Sequence, residues 1–194
     1  MDHKIAKRSA VSSDARAVRS RVALRTALIE LIGERPFGEI SVAALTERAG
    51  IGYATFFRHY PDLAAVLAEI ADGLIAELLE LLVPLLRARD GAAAMRALTA
   101  EVGARRQLAH ALLTGAGDSM RQAITRRAID QAMAAPTDTP GGLPRELAVT
   151  HLVGATLTIL TWWLDRAPET TADEVATILD RLVLAPVLAD QVPG

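Results

Sequence analysis

From Leu63 to Leu82 the apolar residues of this chain fall at helical intervals, with Leu63, Val66, Leu67, Ile70, Leu74, Ile75, Leu78, Leu81 and Leu82 assigned to one buried side. Nowhere along the sequence do apolar and polar residues alternate with period two, and Ala and Leu, both strong helix formers, dominate. An all-α fold without a sheet is therefore expected. With 194 residues and 51% hydrophobic content the chain has enough apolar surface for a core and enough length for two domains.

Capping and breaking residues divide this helical pattern. Residues 1–12 are polar and expected to form a disordered basic tail; Ser13 or Asp14 then caps a first helix, with Val18, Val22, Leu24, Leu28, Ile29 and Ile32 turned inward, that ends near Gly33. Ser41 is placed to cap a second helix and Gly50 to end it. A third helix is expected over Gly52–His59, and Pro61 opens the long fourth, with a bend near Pro84. Further helices are expected over Ala92–Val102, Arg106–Leu113, Ser119–Ala134, Arg145–Arg166 and Ala172–Leu188, the last begun by a capping box of Thr171 and Glu174. Pro136 to Pro144 reads as the one plainly irregular loop. The domains implied are 13–60 and 61–194.

The segment SVAALTERAGIGYATFFRHY, Ser41 to Tyr60, has the form of a helix-turn-helix. Val42, Leu45 and Ala49 share one face, Gly50 supplies a left-handed turn, and Ile51 and Phe56 return to the core. Tyr53, Thr55, Arg58 and His59 are left outside. Charge supports a nucleic-acid role for this region. The net charge is only −2, but residues 1–60 hold ten Lys and Arg against six Asp and Glu, and the remaining 134 residues hold eleven against seventeen. Basic charge thus coincides with the motif. Tyr53 and Thr55, at the start of the recognition helix, are candidates for base contacts; Arg58, His59, Ser41, Arg16, Arg19 and Arg21 are candidates for phosphate contacts.

With the following HYPDLAAVL, the segment resembles the DNA-binding motif of the TetR family of bacterial one-component repressors, through Ala49, Gly50, Ile51, Thr55, Phe56, Phe57, His59, Tyr60 and Asp62. The stretch LTWWLDRAPETTADEVATILDRLVL resembles the C-terminal helix pair of one TetR subgroup. The resemblance implies a helix-turn-helix head joined by a long helix to a ligand-binding, dimerising helical bundle. It implies a homodimer whose two heads enter successive major grooves of a palindromic operator, and a small-molecule effector, unnamed by the sequence, that releases them. Met95, Leu98, Leu112, Met120, Ile124 and His151 fall on helices that usually surround the family's pocket, although residues of these types at such spacing also serve as plain core. Three positions depart from the family pattern: Gly52 stands where Ser often caps, Phe57 where Tyr is common, and Leu63 where Lys often meets the DNA backbone.

Leu147 to Leu164 is eighteen residues without a charge, just the length of a membrane span. His151, Gly154, four threonines and the absence of a basic flank bias argue against one. Cover by a second copy is the favoured explanation: Leu152, Ala155, Ile159, Trp162 and Trp163 on this helix, with Val175, Ile178, Leu179 and Leu182 on the next, would form a four-helix dimer interface. The competing reading is that they close a monomeric core.

An enzyme is not expected. There is no cysteine, and HExxH, P-loop and GxSxG motifs are absent; GAGDSM, Gly115 to Met120, lacks the third glycine and preceding strand of a dinucleotide fingerprint. His110 and His151 have no companion ligand at helical spacing, so neither metal nor cofactor is expected. A dimeric interaction protein with weak DNA binding is the alternative class. The polar N-terminus shows no apolar signal segment, so a cytoplasmic location is expected.

Overall fold

The computed structural model describes residues 2–115, 117–135 and 144–189, and every regular element among them is helical. The chain divides between Ile70 and Ala71 into two compact units.

The first unit holds α1 (Asp2–Glu34), a single 3₁₀ turn (Phe37–Glu39), α2 (Val42–Ala49), α3 (Tyr53–Phe56) and the start of α4 (Leu63–Arg87). Helix α1 starts at Asp2, so residues 2–12 continue it rather than forming the irregular tail expected, and neither Ser13 nor Asp14 caps it. No Gly or Pro precedes Gly33, and Ala, Lys and Arg between them favour helix. Its inner face is Leu24, Ala27, Leu28, Leu31 and Ile32, all buried. Val18, Val22 and Ile29 are 57%, 48% and 43% exposed, a correction to their assignment inward. They occupy a separate stripe, since residues seven apart such as Val22 and Ile29 share a face that Leu24 and Leu31 do not. Ile40, Leu45, Phe56, Tyr60, Val66 and Leu67 complete this core.

The second unit holds the rest of α4, with Pro84 inside it, then α5 (Gly91–Ala104), α6 (Arg106–His110), α7 (Gly117–Ala134), α8 (Arg145–Arg166), α9 (Ala172–Leu179) and α10 (Ala185–Ala189). Wider π turns extend α6 over Ala111–Gly115 and join α9 to α10 over Asp180–Leu184, so the expected last helix is one path with an expanded middle. Asp90 caps α5 by accepting from the Ala93 N–H at 2.9 Å, and Thr171 with Glu174 forms the expected capping box on α9. Helix α5 packs along α9, burying Ala94, Met95, Leu98, Val102, Val175, Ala176 and Leu179. Trp163 is 2% exposed; its Nε1 donates to the Thr170 carbonyl at 2.7 Å, and the Arg106 guanidinium lies 5.0 Å from its ring. Arg145, at the start of α8, donates to the Met133 and Ala135 carbonyls and so ties down the end of α7. The expected loop from Pro136 to Pro144 lies outside the described residues, except Pro144, which precedes α8.

Candidate nucleic-acid interface

Two short helices and the turn between them are set by local chemistry. The Ser41 hydroxyl accepts from the Ala44 N–H at 3.1 Å and caps α2. Gly50 then adopts φ 63° and ψ 31°, the left-handed conformation that closes the helix, with its N–H on the Glu47 carbonyl and the Ile51 N–H on that of Thr46. The buried Thr46 hydroxyl donates to the Ala43 carbonyl. Helix α3 is shorter than expected: it is regular over Tyr53–Phe56, and 57–59 turn away from it. Gly52 precedes it without a side chain to cap it, and a Cβ there would meet only the Thr55 hydroxyl, at 3.7 Å.

The residues assigned to DNA from the sequence separate into three groups. Tyr53 is 58% exposed, and Arg58 is exposed and donates to the Thr55 hydroxyl at 2.7 Å, which orders both side chains on one surface. Arg16 and Arg19 are exposed on α1. His59 and Thr55 are half-buried. Ser41 caps α2, and Arg21, with a half-exposed side chain, pairs with a carboxylate. Charge alone does not reveal such pairing.

That carboxylate is Glu69, which sequence reasoning passed over. Arg21 reaches its Oε2 at 2.7 Å, Arg25 its Oε1 at 3.0 Å, and the buried Tyr60 hydroxyl donates to Oε2 at 2.7 Å. Burial pushes the Glu69 carboxyl up, but the hydrogen bonds from Arg21, Tyr60 and Arg25 outweigh it and hold the group below the usual carboxylate range. Burial, then the bond to Glu69, pushes the Tyr60 phenol up. The cluster joins α1, the residue after the recognition turn, and the first turns of α4. A signal existed: Glu69 is a lone carboxylate between Val66 and Ile70, on the side of α4 that turns inward. Arg48 of α2 likewise pairs with Glu34 at 2.8 Å and Glu30 at 3.4 Å on α1.

Phe57 is 48% exposed and stands edge-on to two rings, Tyr53 at 5.2 Å and Phe56 at 5.0 Å between centroids. Phe56 is fully buried and anchors the set. Leu63 is half-buried, and Asp62 rather than Pro61 opens α4, accepting from the Ala65 N–H at 2.8 Å.

In the second unit, Met95, Leu98, Leu112 and Ile124 are buried core residues, His151 is exposed, and the Met120 side chain lies outside the described residues. A separate hollow of about 220 Å³ is lined by Glu77, Leu78, Leu81, Glu101 and Arg105. Arg105 spans it, 2.7 Å from Glu77 and 3.6 Å from Glu101. The dimer set divides as well. Trp163, Val175 and Leu179 are inside the single chain, whereas Trp162 and Leu182 are 41% and 65% exposed and Leu152, Ala155, Ile159 and Ile178 are half-buried. Only residues of the second kind are open to a partner, because helix periodicity marks every apolar side but not which neighbour covers it.

Residues 24–70 match the family model of bacterial regulatory proteins, tetR family. No curated protein matches the chain. A TetR transcriptional regulator from Rhodococcus sp. RHA1 is similar in structure, with 17% identity and a TM-score of 0.66 over 93% of this chain and 99% of that one. Thermus thermophilus FadR, a TetR family repressor solved with lauroyl-CoA, has 19% identity and a TM-score of 0.64 over 90% and 98%. Pseudomonas aeruginosa NalD, the secondary repressor of the MexAB-OprM multidrug efflux pump, has 17% identity and a TM-score of 0.60 over 91% and 100%. At these identities the likeness is one of fold, and it extends over both units.

Proposed function

We propose, for a chain that is a TetR-type transcriptional regulator by its head and its fold, that it acts as a homodimeric repressor released from a palindromic operator by a small molecule. The observation that carries DNA reading is the head itself: a Ser-capped helix, a left-handed Gly50 turn and an exposed Tyr53–Arg58 surface, all within the matched residues 24–70. Two heads one helical turn apart would enter successive major grooves.

Dimerisation is supported by α8. It is long and apolar enough to cross a membrane, yet only 22% of its apolar window is buried within one chain. Leu147, Trp162 and Leu182 are exposed on α8 and the segment after α9, and a second copy laid against them would bury that surface without lipid. The effector enters the body. T. thermophilus FadR holds an acyl-CoA, and a molecule with an apolar tail is the class we propose to screen first. Met95, Leu98 and Leu112 are buried in the body, and a ligand taken up among them that prefers the DNA-incompetent form would shift the population away from the competent one.

The deciding experiment is selection of bound duplexes from a random-sequence pool by purified protein at two salt concentrations. A palindrome with half-sites about one turn apart, bound less tightly at the higher salt, is the expected outcome. A folded dimer that enriches no motif even at low salt would overturn the reading in favour of an interaction protein.

A further inference from the structure

The recognition segment lacks most of the groups that read DNA by hydrogen bonding. From Gly52 to Arg58 it runs Gly-Tyr-Ala-Thr-Phe-Phe-Arg, with no Asn, Gln, Lys, Asp or Glu. Those side chains, with Arg, make the paired hydrogen bonds that distinguish base edges. Arg58 is the single such group present, and its guanidinium already donates to Thr55 at 2.7 Å.

Beside Arg58, the large side chains that the segment exposes are aromatic. Tyr53 and Phe57 are 58% and 48% exposed, one turn apart, with ring centroids at 5.2 Å. Phe57 is braced from below by the edge-on ring of Phe56, which is fully buried and cannot give way. The pair therefore presents an aromatic wall on the surface of a basic head, and its ring contacts reduce the side-chain freedom left to be lost on binding. In the major groove, the one apolar group that marks a base is the C5 methyl of thymine. Neither phosphate nor the polar edges of guanine, cytosine and adenine gains from meeting a phenyl ring.

We propose that Tyr53 and Phe57 form a receptor for thymine methyl groups, so that this protein reads sequence chiefly by methyl contact rather than by paired hydrogen bonds. The inference rests on the DNA-reading function above. Phe57 then becomes a gain in base readout at a position where the related motif commonly carries a hydroxyl. Arg58, Arg16 and Arg19 hold the head to the backbone and add affinity without choice of sequence.

The test uses the wild-type protein and the half-site recovered from the random pool. Each dT in turn is replaced, symmetrically in both half-sites, by dU, which keeps pairing and removes only the methyl. One or two positions per half-site are expected to weaken binding about fourfold for each contacted methyl, with the salt slope unchanged. Phe57→Ala is expected to bind the dT and dU duplexes alike at one of those positions. Equal binding of the fully dU-substituted site, or a selected half-site without thymine, would overturn methyl reading and leave DNA reading standing. If no site is enriched, both fall together. The dU series alone decides the matter should the Phe57 variant misfold.

Discussion

Gly50 and Arg21 show how differently single residues declare themselves. The backbone at Gly50 is left-handed, with φ 63°, and a Cβ added there would meet nothing within 4 Å. Its replacement is therefore a matter of strain and not of space: Gly50→Ala should destabilise the protein by about 1–2 kcal/mol in urea unfolding, and Gly50→Asn by less, because Asn tolerates this conformation. Equal costs for the two would remove the conformational explanation. Gly50, Ser41 and the Thr171–Glu174 box were legible in the sequence because a cap is dictated by the backbone groups within three residues of it. Arg21 was not, since its partner Glu69 is 48 positions away and only the folded chain brings them together. Phe57 was equally undecidable from spacing; the buried ring of Phe56 beneath it settles where it stands.

Between elements, the head is joined by carboxylates that accept from more than one arginine. Glu69 takes Arg21, Arg25 and Tyr60, and its folded pKa is depressed, so its contribution to stability is present above the unfolded value near 4.5 and is lost as pH falls through the lower folded value. Glu69→Gln should cost about 1 kcal/mol at neutral pH, since the two arginines are half exposed and screened. The gap between variant and wild type should close in denaturation curves taken at successively lower pH below about 4.5; a gap independent of pH would assign Glu69 a packing role only. Helix positions were well legible: α8 spans Arg145–Arg166 as expected, bounded by Pro144 before it. Helix phase was less so. Val18, Val22 and Ile29 satisfy a helical repeat as well as Leu24 and Leu28 do, and which stripe is buried depends on the direction from which α2 and α4 approach.

Across the whole molecule, all-helical architecture followed from periodicity, while the division between Ile70 and Ala71 and the buried state of Trp163, Val175 and Leu179 did not. An apolar residue at helical spacing satisfies a chain core and a subunit contact equally. The remaining exposed set gives a direct test of self-association. Leu182→Glu, at a side chain 65% exposed, should leave the circular dichroism spectrum intact, yield monomers in sedimentation, and reduce affinity for a two-half-site duplex at least tenfold. A variant that remains dimeric would place the interface elsewhere.

Helix α4 is continuous over Leu63–Arg87 although the chain changes units between Ile70 and Ala71. The boundary therefore falls within continuous helical backbone and not in a loop. Cutting the chain there severs helical hydrogen bonds and leaves each unit with an open helix end whose N–H or C=O groups have lost their partners.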